Sequence, residues 1–253
     1  MAMVWALCAG ISHAQTTILN VDLNGARGST GGTVGTTYTG NGPLRSNGTV
    51  HDAPALGSGM TGYWNGIVFS NPNSPIPSTS LLDSSGQATG VSLSFANWGF
   101  QDCAPETNYG NGNAANMPLL TDYIGAELSA GSLLPTMTIS GLANNSPYEL
   151  YVFGSNGGAG AGGTWSVNGS ATQVSTGNSG GGFPFSNFAR GREYAYFNVN
   201  SDALGRLVLT GNSTDDPFVI LNGFQLSPVP EPGSLSLLCA AGAVVLAARR
   251  RRG

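Results

Sequence analysis

The segment Gly177–Gly181, with the sequence Gly-Asn-Ser-Gly-Gly, has the residue pattern of a turn that presents a serine nucleophile. Such a serine needs a positioned base to take its proton, and histidine is the usual base. The chain holds 2 histidines, and only His51 lies outside the N-terminal segment that we expect to be removed. The flanking sequence is rich in glycine turns, whereas this nucleophile requires a strand, a turn and a helix. We therefore predict no catalytic serine.

The segment Gly158–Gly163 contains the G-x-G-x-x-G spacing of dinucleotide-binding loops. In those loops a helix follows, and its N-terminus meets the pyrophosphate. Here Thr164–Gly169 follows, and its sequence indicates a strand and a turn. We predict a glycine-rich loop and no nucleotide site.

Paired carboxylates could carry out glycoside hydrolysis. The candidate pairs are Asp102 with Glu106, Asp122 with Glu127, and Asp215 with Asp216. Between the two termini the chain holds only 12 acidic residues. Solvated loop carboxylates are the preferred interpretation, and we expect the protein not to be an enzyme.

No cluster of histidine and cysteine has the spacing of a zinc site, so calcium is the more credible metal. The candidate oxygen ligands are Asp22, Asn24, Asp215 and Asp216. They would converge if the first and last strands of the body pair. The alternative is that these residues only shape turns. We expect no other cofactor.

Large aromatic residues beside Gly- and Asn-rich turns offer the best indication of a ligand. A sugar ring can stack on an aromatic plane while amides and carboxylates bond its hydroxyls. The candidate glycan-binding residues are Trp64, Trp98, Tyr109, Trp165, Phe183, Phe185 and Phe188. The alternative is that most of these rings fill the core, as large aromatic residues usually do.

The sequence around these residues predicts short strands separated by turns rich in Gly, Asn, Ser and Pro. The predicted strands are 18–23, 63–70, 91–96, 137–142, 148–154, 194–199, 204–210 and 218–226. One segment, 114–130, has apolar residues at helical spacing and predicts a short helix. We predict an all-β fold, a single jelly-roll-like β-sandwich with one short helix. Its first and last strands are expected to pair.

The segment from Leu134 to Leu142, followed by Tyr148 to Phe153, predicts a hairpin across Asn144–Pro147. It resembles the central hairpin of galactose-binding-like and carbohydrate-binding β-sandwiches. The resemblance is one of pattern and implies a sandwich fold with a sugar ligand.

Composition narrows the class of protein further. Only 9% of the residues are charged, and between the termini 12 acids face 5 arginines, a net charge of −7. This balance disfavours nucleic acid as a partner. With 40% hydrophobic residues the chain can build a core. Cys103 is the one cysteine between the termini, so no internal disulfide is expected.

The N-terminus has a short apolar run, residues 3–11, followed by Ser12-His13-Ala14. Small residues at these positions are typical of a secretory cleavage site, although no basic residue precedes the run. We predict a signal peptide at residues 1–14 and a mature protein that starts at Gln15. The alternative is a buried first strand.

The C-terminus has three parts in order. Val229-Pro230-Glu231-Pro232 comes first, then an uncharged apolar stretch at 233–248, then Arg249, Arg250, Arg251 and Arg252. Sixteen helical residues rise about 24 Å, and arginines that snorkel to the headgroups make up part of the remaining membrane thickness. The arginine run is expected to stay cytoplasmic, so the body lies outside.

This order of parts resembles the PEP-CTERM sorting tail, also labelled the C-terminal domain of ice-binding proteins. The resemblance implies that an exosortase recognises Pro230, Glu231 and Pro232, and that the tail is then removed. It also implies transient anchoring in the cytoplasmic membrane, followed by delivery to the cell surface or the exopolysaccharide matrix. The alternative is a permanent C-terminal anchor.

The sequence thus predicts a signal peptide (1–14), a β-sandwich body (15–228) and a sorting tail (229–253). Two functions stay open for the body: a glycan-binding or matrix-associating module, and a structural surface component without a ligand site. A glycan hydrolase or lyase is disfavoured. Ice binding is disfavoured because its regular threonine array is missing among Thr30, Thr33, Thr36, Thr37 and Thr39.

Overall fold

The computed structural model describes residues 19–24, 45–46, 49–50, 65–68, 71–75, 81–103, 119, 122–155, 162–175, 190–214 and 216–229. The strands are β1 (Leu19–Asn24), β2 (Arg45–Ser46), β3 (Thr49–Val50), β4 (Asn65–Val68), β5 (Ser92–Ala96), β6 (Phe100–Cys103), β7 (Asp122–Glu127), β8 (Thr136–Ser140), β9 (Pro147–Phe153), β10 (Gly163–Val167), β11 (Gln173–Ser175), β12 (Tyr194–Asn200), β13 (Arg206–Asn212), β14 (Phe218–Leu221) and β15 (Gly223–Pro228). The described part of the chain is therefore all-β, as predicted.

Two five-stranded sheets form a β-sandwich. The first sheet has the order β12-β9-β15-β1-β4 and the second has the order β11-β10-β13-β8-β5. Alternate residues of each sheet point into one shared core, for example Leu150 and Phe224 from the first sheet and Ile139 and Leu209 from the second. A third sheet, β14-β7-β6, and a short β2-β3 ladder complete the described strands. Residues Thr17–Pro228 form one compact unit.

The first and last strands of the body pair, which confirms the prediction. β1 runs antiparallel to β15, with Leu19 opposite Leu226 and Asp22 opposite Gly223. The last predicted strand, 218–226, is divided at Asn222, because β14 and β15 belong to different sheets. A side chain at Gly223 would come within 2.2 Å of the Val21 carbonyl oxygen, so the close approach of the two strands requires glycine there.

The predicted hairpin of β8 and β9 is wrong. β8 pairs with β5 and β13 in the second sheet, whereas β9 pairs with β12 and β15 in the first. Residues 141–146 therefore cross from one sheet to the other, a gap of about 10 Å that six residues span easily. They lie against the β12–β13 connection, where Asn145 N donates to Asp202 O (3.1 Å) and Ser201 N to Ser146 O (2.9 Å). The strands face each other across the core because each has its apolar side chains on one face.

The predicted helix at 114–130 is wrong over residues 122–127, which form β7. Leu119, which is also described, is helical. β7 lies between β6 and β14, and Tyr123, Ile124 and Ala126 are buried. Burial on both faces of a short segment gives apolar residues at several spacings, so the helical period was not diagnostic. Pairing on both sides satisfies the backbone of this strand.

Asp83 organises the turn between Leu82 and Ala88. Its Oδ1 atom accepts hydrogen bonds from Ser85 N (2.8 Å), Ser85 Oγ (2.6 Å) and Gln87 N (2.9 Å). Burial acts to raise the pKa of the Asp83 carboxyl, but these hydrogen bonds outweigh it and the pKa lies below its ordinary value. The turn is therefore held by the ionised carboxylate.

We expect Asp83→Ala to lower the free energy of unfolding at neutral pH by about 1–3 kcal/mol, because three part-buried hydrogen bonds to a charged acceptor are lost. A carboxyl with a lowered folded-state pKa stabilises above its unfolded pKa, and this contribution is lost as the pH falls through the folded pKa. The part of the loss that depends on charge should therefore shrink below about pH 4. Urea unfolding of both proteins between pH 3 and pH 7 measures this. A difference that stays constant over that range would contradict the account.

Candidate functional site

Trp165 is a core residue. It is 0% exposed in β10, and its indole Nε1 donates to Ser175 Oγ at 2.7 Å. Its ring is enclosed by backbone, because a side chain at Gly154, Gly163 or Gly211 would come within 3.0 Å of the ring. A ring buried in this way offers no face to a sugar. Trp165 therefore fills the core, and the prediction that it binds glycan is wrong.

Trp98 is also a core residue. It is 3% exposed, and its Nε1 donates to Thr136 O at 2.9 Å. Asn73 holds the backbone of Trp98 with a pair of side-chain hydrogen bonds. Trp98 is therefore withdrawn from the glycan-binding candidates for the same reason as Trp165.

The remaining aromatic candidates stay predictions. Trp64, Tyr109, Phe183, Phe185 and Phe188 lie outside the described residues, as does the Gly177–Gly181 segment. At the other glycine-rich segment, Gly163 begins β10, so a strand follows it as predicted.

Two of the four candidate calcium ligands, Asp22 and Asp216, have side chains that the structure describes. Asp22 is fully buried in β1, and Asn24 ends that strand. Asp216 accepts a hydrogen bond from Phe218 N (3.1 Å) and so shapes the turn before β14. Asp215 lies outside the described residues. No group of three or more His, Cys, Asp or Glu in the described ranges could hold a metal ion.

One candidate carboxylate pair is separated by the fold. Asp122 and Glu127 stand at the two ends of β7, five residues apart. At about 3.4 Å per residue their backbones are about 17 Å apart. Glycosidase carboxylates lie roughly 5–10 Å apart. Asp122 and Glu127 therefore do not form such a pair.

The structure brings together three tyrosines that the sequence did not single out. Tyr151 on β9 faces Tyr194 and Tyr196 on β12, on the side of the first sheet away from the shared core. The ring centroids of Tyr151 and Tyr196 are 4.7 Å apart, and those of Tyr151 and Tyr194 are 5.7 Å apart. Tyr151 is buried, and the other two are half-buried. We call Tyr151, Tyr194 and Tyr196 the tyrosine face.

Polar side chains extend the tyrosine face across the sheet. Tyr196, Tyr151, Gln225 and Asn20 are consecutive partners on four neighbouring strands. Gln225 Nε2 donates to Asn20 Oδ1 at 2.9 Å, and both residues are fully buried. The row thus runs from a partly open aromatic end on the edge strand β12 to a closed polar end on β1.

A carboxylate and a guanidinium lie at the open end. The Tyr196 hydroxyl donates to Glu149 Oε1 at 2.8 Å. The guanidinium carbon of Arg190 lies 5.4 Å from the centre of the Tyr196 ring. Arg190 is exposed and Glu149 is half-buried. An aromatic surface with a charged group of each sign at its rim can bind a molecule that carries both C–H faces and hydroxyls.

Tyr151 and Tyr196 are held in the neutral form. Burial raises the pKa of Tyr151, and the nearby Glu149 charge adds to this. Burial also raises the pKa of Tyr196, together with its hydrogen bond to Glu149. Their hydroxyls therefore remain donors over the whole physiological pH range.

Sequence reasoning missed this face because it looked for aromatic residues beside turns, whereas these lie inside strands. The alternation Tyr-Ala-Tyr at 194–196 was the available indication. It puts both tyrosines on the face opposite to Ala195, which is buried in the core. Which strand supplies the third tyrosine follows only from the register.

The C-terminal residues match a known family model. The model, described as the PEP-CTERM protein-sorting motif, matches residues 228–252. The chain carries a PEP-CTERM protein-sorting motif. This confirms the resemblance drawn from Val229–Pro232 and Arg249–Arg252, and it marks the chain as an exosortase-sorted surface protein. In the described ranges no helix is long and apolar enough to cross a membrane, and residues 233–248 lie outside them.

No curated protein matches the chain. Among solved structures, the Bacillus subtilis protein YxiM is 10% identical, with a TM-score of 0.37 over 84% of this chain and 40% of that one. A Bacteroides uniformis β-glucuronidase is 14% identical, with a TM-score of 0.37 over 66% of this chain and 20% of that one. The plant receptor-like kinase ANX2 is 12% identical, with a TM-score of 0.38 over 64% of this chain and 47% of that one. The chain thus spans less than half of each of these proteins, and likeness at this level assigns no function.

Proposed function

We propose that the body of this exosortase-sorted protein is a non-enzymatic glycan-binding module that associates with the cell surface or the exopolysaccharide matrix. The observation that carries the proposal is the tyrosine face, with the Glu149 carboxylate and the Arg190 guanidinium at its rim. The sorting motif supports it, because polysaccharide is one of the polymers that a surface-sorted protein meets.

The sorting route that we propose has three steps. The signal peptide directs export, residues 233–248 hold the chain transiently in the cytoplasmic membrane, and an exosortase then removes the tail. Pro230 and Pro232 fix their φ angles and lack backbone N–H groups, so the motif stays extended. An extended segment with one carboxylate, Glu231, suits recognition by a protease-like enzyme.

Tyr194 is the ring that we expect to stack on sugar. One side of the Tyr196 ring already faces Arg190, at 5.4 Å. Tyr194 is half-buried, and its aromatic neighbours, Tyr151 and Phe153, support it at 5.7 and 6.2 Å. A half-buried ring that is held by two aromatic neighbours presents a firm apolar surface to the C–H face of a sugar.

We expect Tyr194→Ala to weaken polysaccharide binding by about 1–3 kcal/mol, by analogy with base–aromatic stacking. This corresponds to roughly 5- to 150-fold in Kd. Calorimetric titration with soluble polysaccharides measures the change, and thermal unfolding reports the stability of each variant.

Phe218→Ala is the matched control. Phe218 is also half-buried and also packs against another ring, Phe100, at 5.9 Å, but in the third sheet. Both variants should lose similar stability, and only Tyr194→Ala should lose binding. Equal loss of binding in the two variants, or full binding by Tyr194→Ala, would argue against the tyrosine face.

The alternative is a structural surface component without a ligand site. The burial of Trp98 and Trp165 favours it, because two of the residues expected to bind glycan fill the core. Under this alternative the body binds no polysaccharide in the titration, and no variant of the tyrosine face changes the result.

A further inference from the structure

Arg190 bridges the two sheets of the sandwich at one edge. β11 is the edge strand of the second sheet and β12 is the edge strand of the first. Arg190 Nη2 donates to Gln173 Oε1 on β11 at 2.6 Å, and its guanidinium lies over Tyr196 on β12. The adjacent Gly191 forms a bridge with Ser175 and donates from its N to Tyr194 O at 2.8 Å. The guanidinium is therefore held from two sides while remaining exposed.

No carboxylate among the described residues forms an ion pair with Arg190. The structure describes the side chains of Arg190, Arg192 and Arg206. Arg192 pairs with Glu193, and Arg206 pairs with Asp202 at 2.8 Å. Arg190 has no carboxylate oxygen within 4.0 Å among the described residues. Glu149, the acid of the same face, binds the Tyr196 hydroxyl instead.

The guanidinium of Arg190 has the chemistry to bind an oxyanion. A guanidinium has five N–H donors in a planar fork that matches the two oxygens of a carboxylate or sulfate. The bond to Gln173 is the one that Arg190 makes to a described residue. Stacking over an aromatic ring fixes the plane of the fork, so less side-chain entropy is lost when an anion binds.

We propose that the tyrosine face takes an acidic glycan, with Arg190 receiving an oxyanion substituent of the sugar next to the residue that stacks on Tyr194. The oxyanion is a uronate carboxylate or a sulfate ester. This inference rests on the proposed glycan-binding function and adds the class of sugar to it.

The net negative charge of the body disfavours the binding of an acidic polymer. Between the termini 12 acids outnumber 5 arginines, so the body as a whole repels a polyanion. At physiological ionic strength this repulsion is screened beyond about 8 Å, whereas a direct contact with Arg190 is not. A preference for acidic over neutral polymer must therefore come from a local cation.

The test compares polymers that differ only in charge. The full chain, purified in detergent at 0.15 M salt, is titrated with polygalacturonate and with its carboxyl-reduced neutral form. A second arm uses dextran sulfate and dextran. We expect at least tenfold tighter binding of the acidic member in one arm, and the arm that shows it identifies the oxyanion. We expect Arg190→Gln to bind both members of that pair alike.

Arg206→Gln is the control for net charge. It removes the same charge from an exposed arginine that pairs with Asp202, and it should keep the preference. Arg190→Lys keeps the charge without the fork and should keep only part of the preference. Both variants are checked for unchanged thermal unfolding.

The outcomes separate the two proposals. If the wild-type chain binds the acidic and neutral members equally in both arms, or if Arg190→Gln keeps the preference, the inference about Arg190 is overturned and glycan binding stands. If the wild-type chain binds none of the four polymers, both proposals are overturned.

Discussion

Trp165→Ala should lower the free energy of unfolding by about 3–5 kcal/mol, the usual cost of removing a large buried aromatic side chain. The free energy of unfolding of a native domain is only about 5–15 kcal/mol, so this one substitution should remove a large share of the stability of the body. The ring is 0% exposed and lies against backbone at Gly154, Gly163 and Gly211. Backbone in paired strands cannot easily move into the space that the ring leaves, so the cavity should persist.

Urea unfolding followed by far-UV circular dichroism measures this effect. Trp165→Phe is the informative second variant, because it keeps a six-membered aromatic ring and removes the Nε1 donor to Ser175 Oγ together with part of the indole. It should cost clearly less than Trp165→Ala. A loss below about 1 kcal/mol for Trp165→Ala would show that the ring is not part of the core.

Glu231→Ala should abolish sorting. Glu231 is the one charged residue between Pro228 and Arg249, and we expect the flanking prolines to favour an extended backbone around it. With alanine there, an exosortase loses its charged contact, and we expect the full-length chain to accumulate in the cytoplasmic membrane. Fractionation and immunoblotting of cells that possess an exosortase measure the ratio of membrane-bound to surface protein.

Glu127→Ala controls for the loss of one negative charge. Glu127 is an exposed residue of the body, at the end of β7, and it lies outside the motif. This variant should be sorted like the wild-type protein. Normal delivery of Glu231→Ala to the surface would show that recognition by the exosortase does not require the Glu231 carboxylate.

The strands of the body were predictable because their alternation is local. Leu93 and Phe95 alternate with polar residues, and β5 buries both of them. Pairing of the first and last strands was predictable from the fold class, because these strands often pair in β-sandwiches. The positions of the strands need only the period of the sequence and the position of the turns.

The partners of the strands were less predictable than the strands. β8 and β9 are separated by a short turn, as in a hairpin, yet they lie in different sheets. A short connection of this kind permits either arrangement of the two strands. Here the connection is held by the β12–β13 connection, more than 50 residues away along the chain. Ser201 Oγ and Asp202 O accept hydrogen bonds from its backbone. β7 shows the same limit, since its spacing does not distinguish a buried strand from a helix.

The tyrosine face depends on the register between neighbouring strands, so the spacing of residues along the sequence does not reveal it. Tyr151 and Tyr196 are direct partners across two strands that lie more than 40 residues apart. Arg190 reaches Gln173 only because β11 and β12 lie at the same edge of the sandwich. The sorting motif is the opposite case. All its parts are contiguous, so its sequence alone identified it.

The central claim is that this chain is a surface protein sorted by its tail, and the mass of the C-terminal peptide of surface-exposed protein tests it most directly. The protein is released from intact cells that possess an exosortase and is digested. The mass of its C-terminal peptide is then measured by mass spectrometry. The account predicts a peptide that ends before Arg249, because the motif is a processing site and the apolar stretch stays in the membrane. Surface protein that still carries Arg249–Arg252 in most molecules would contradict it.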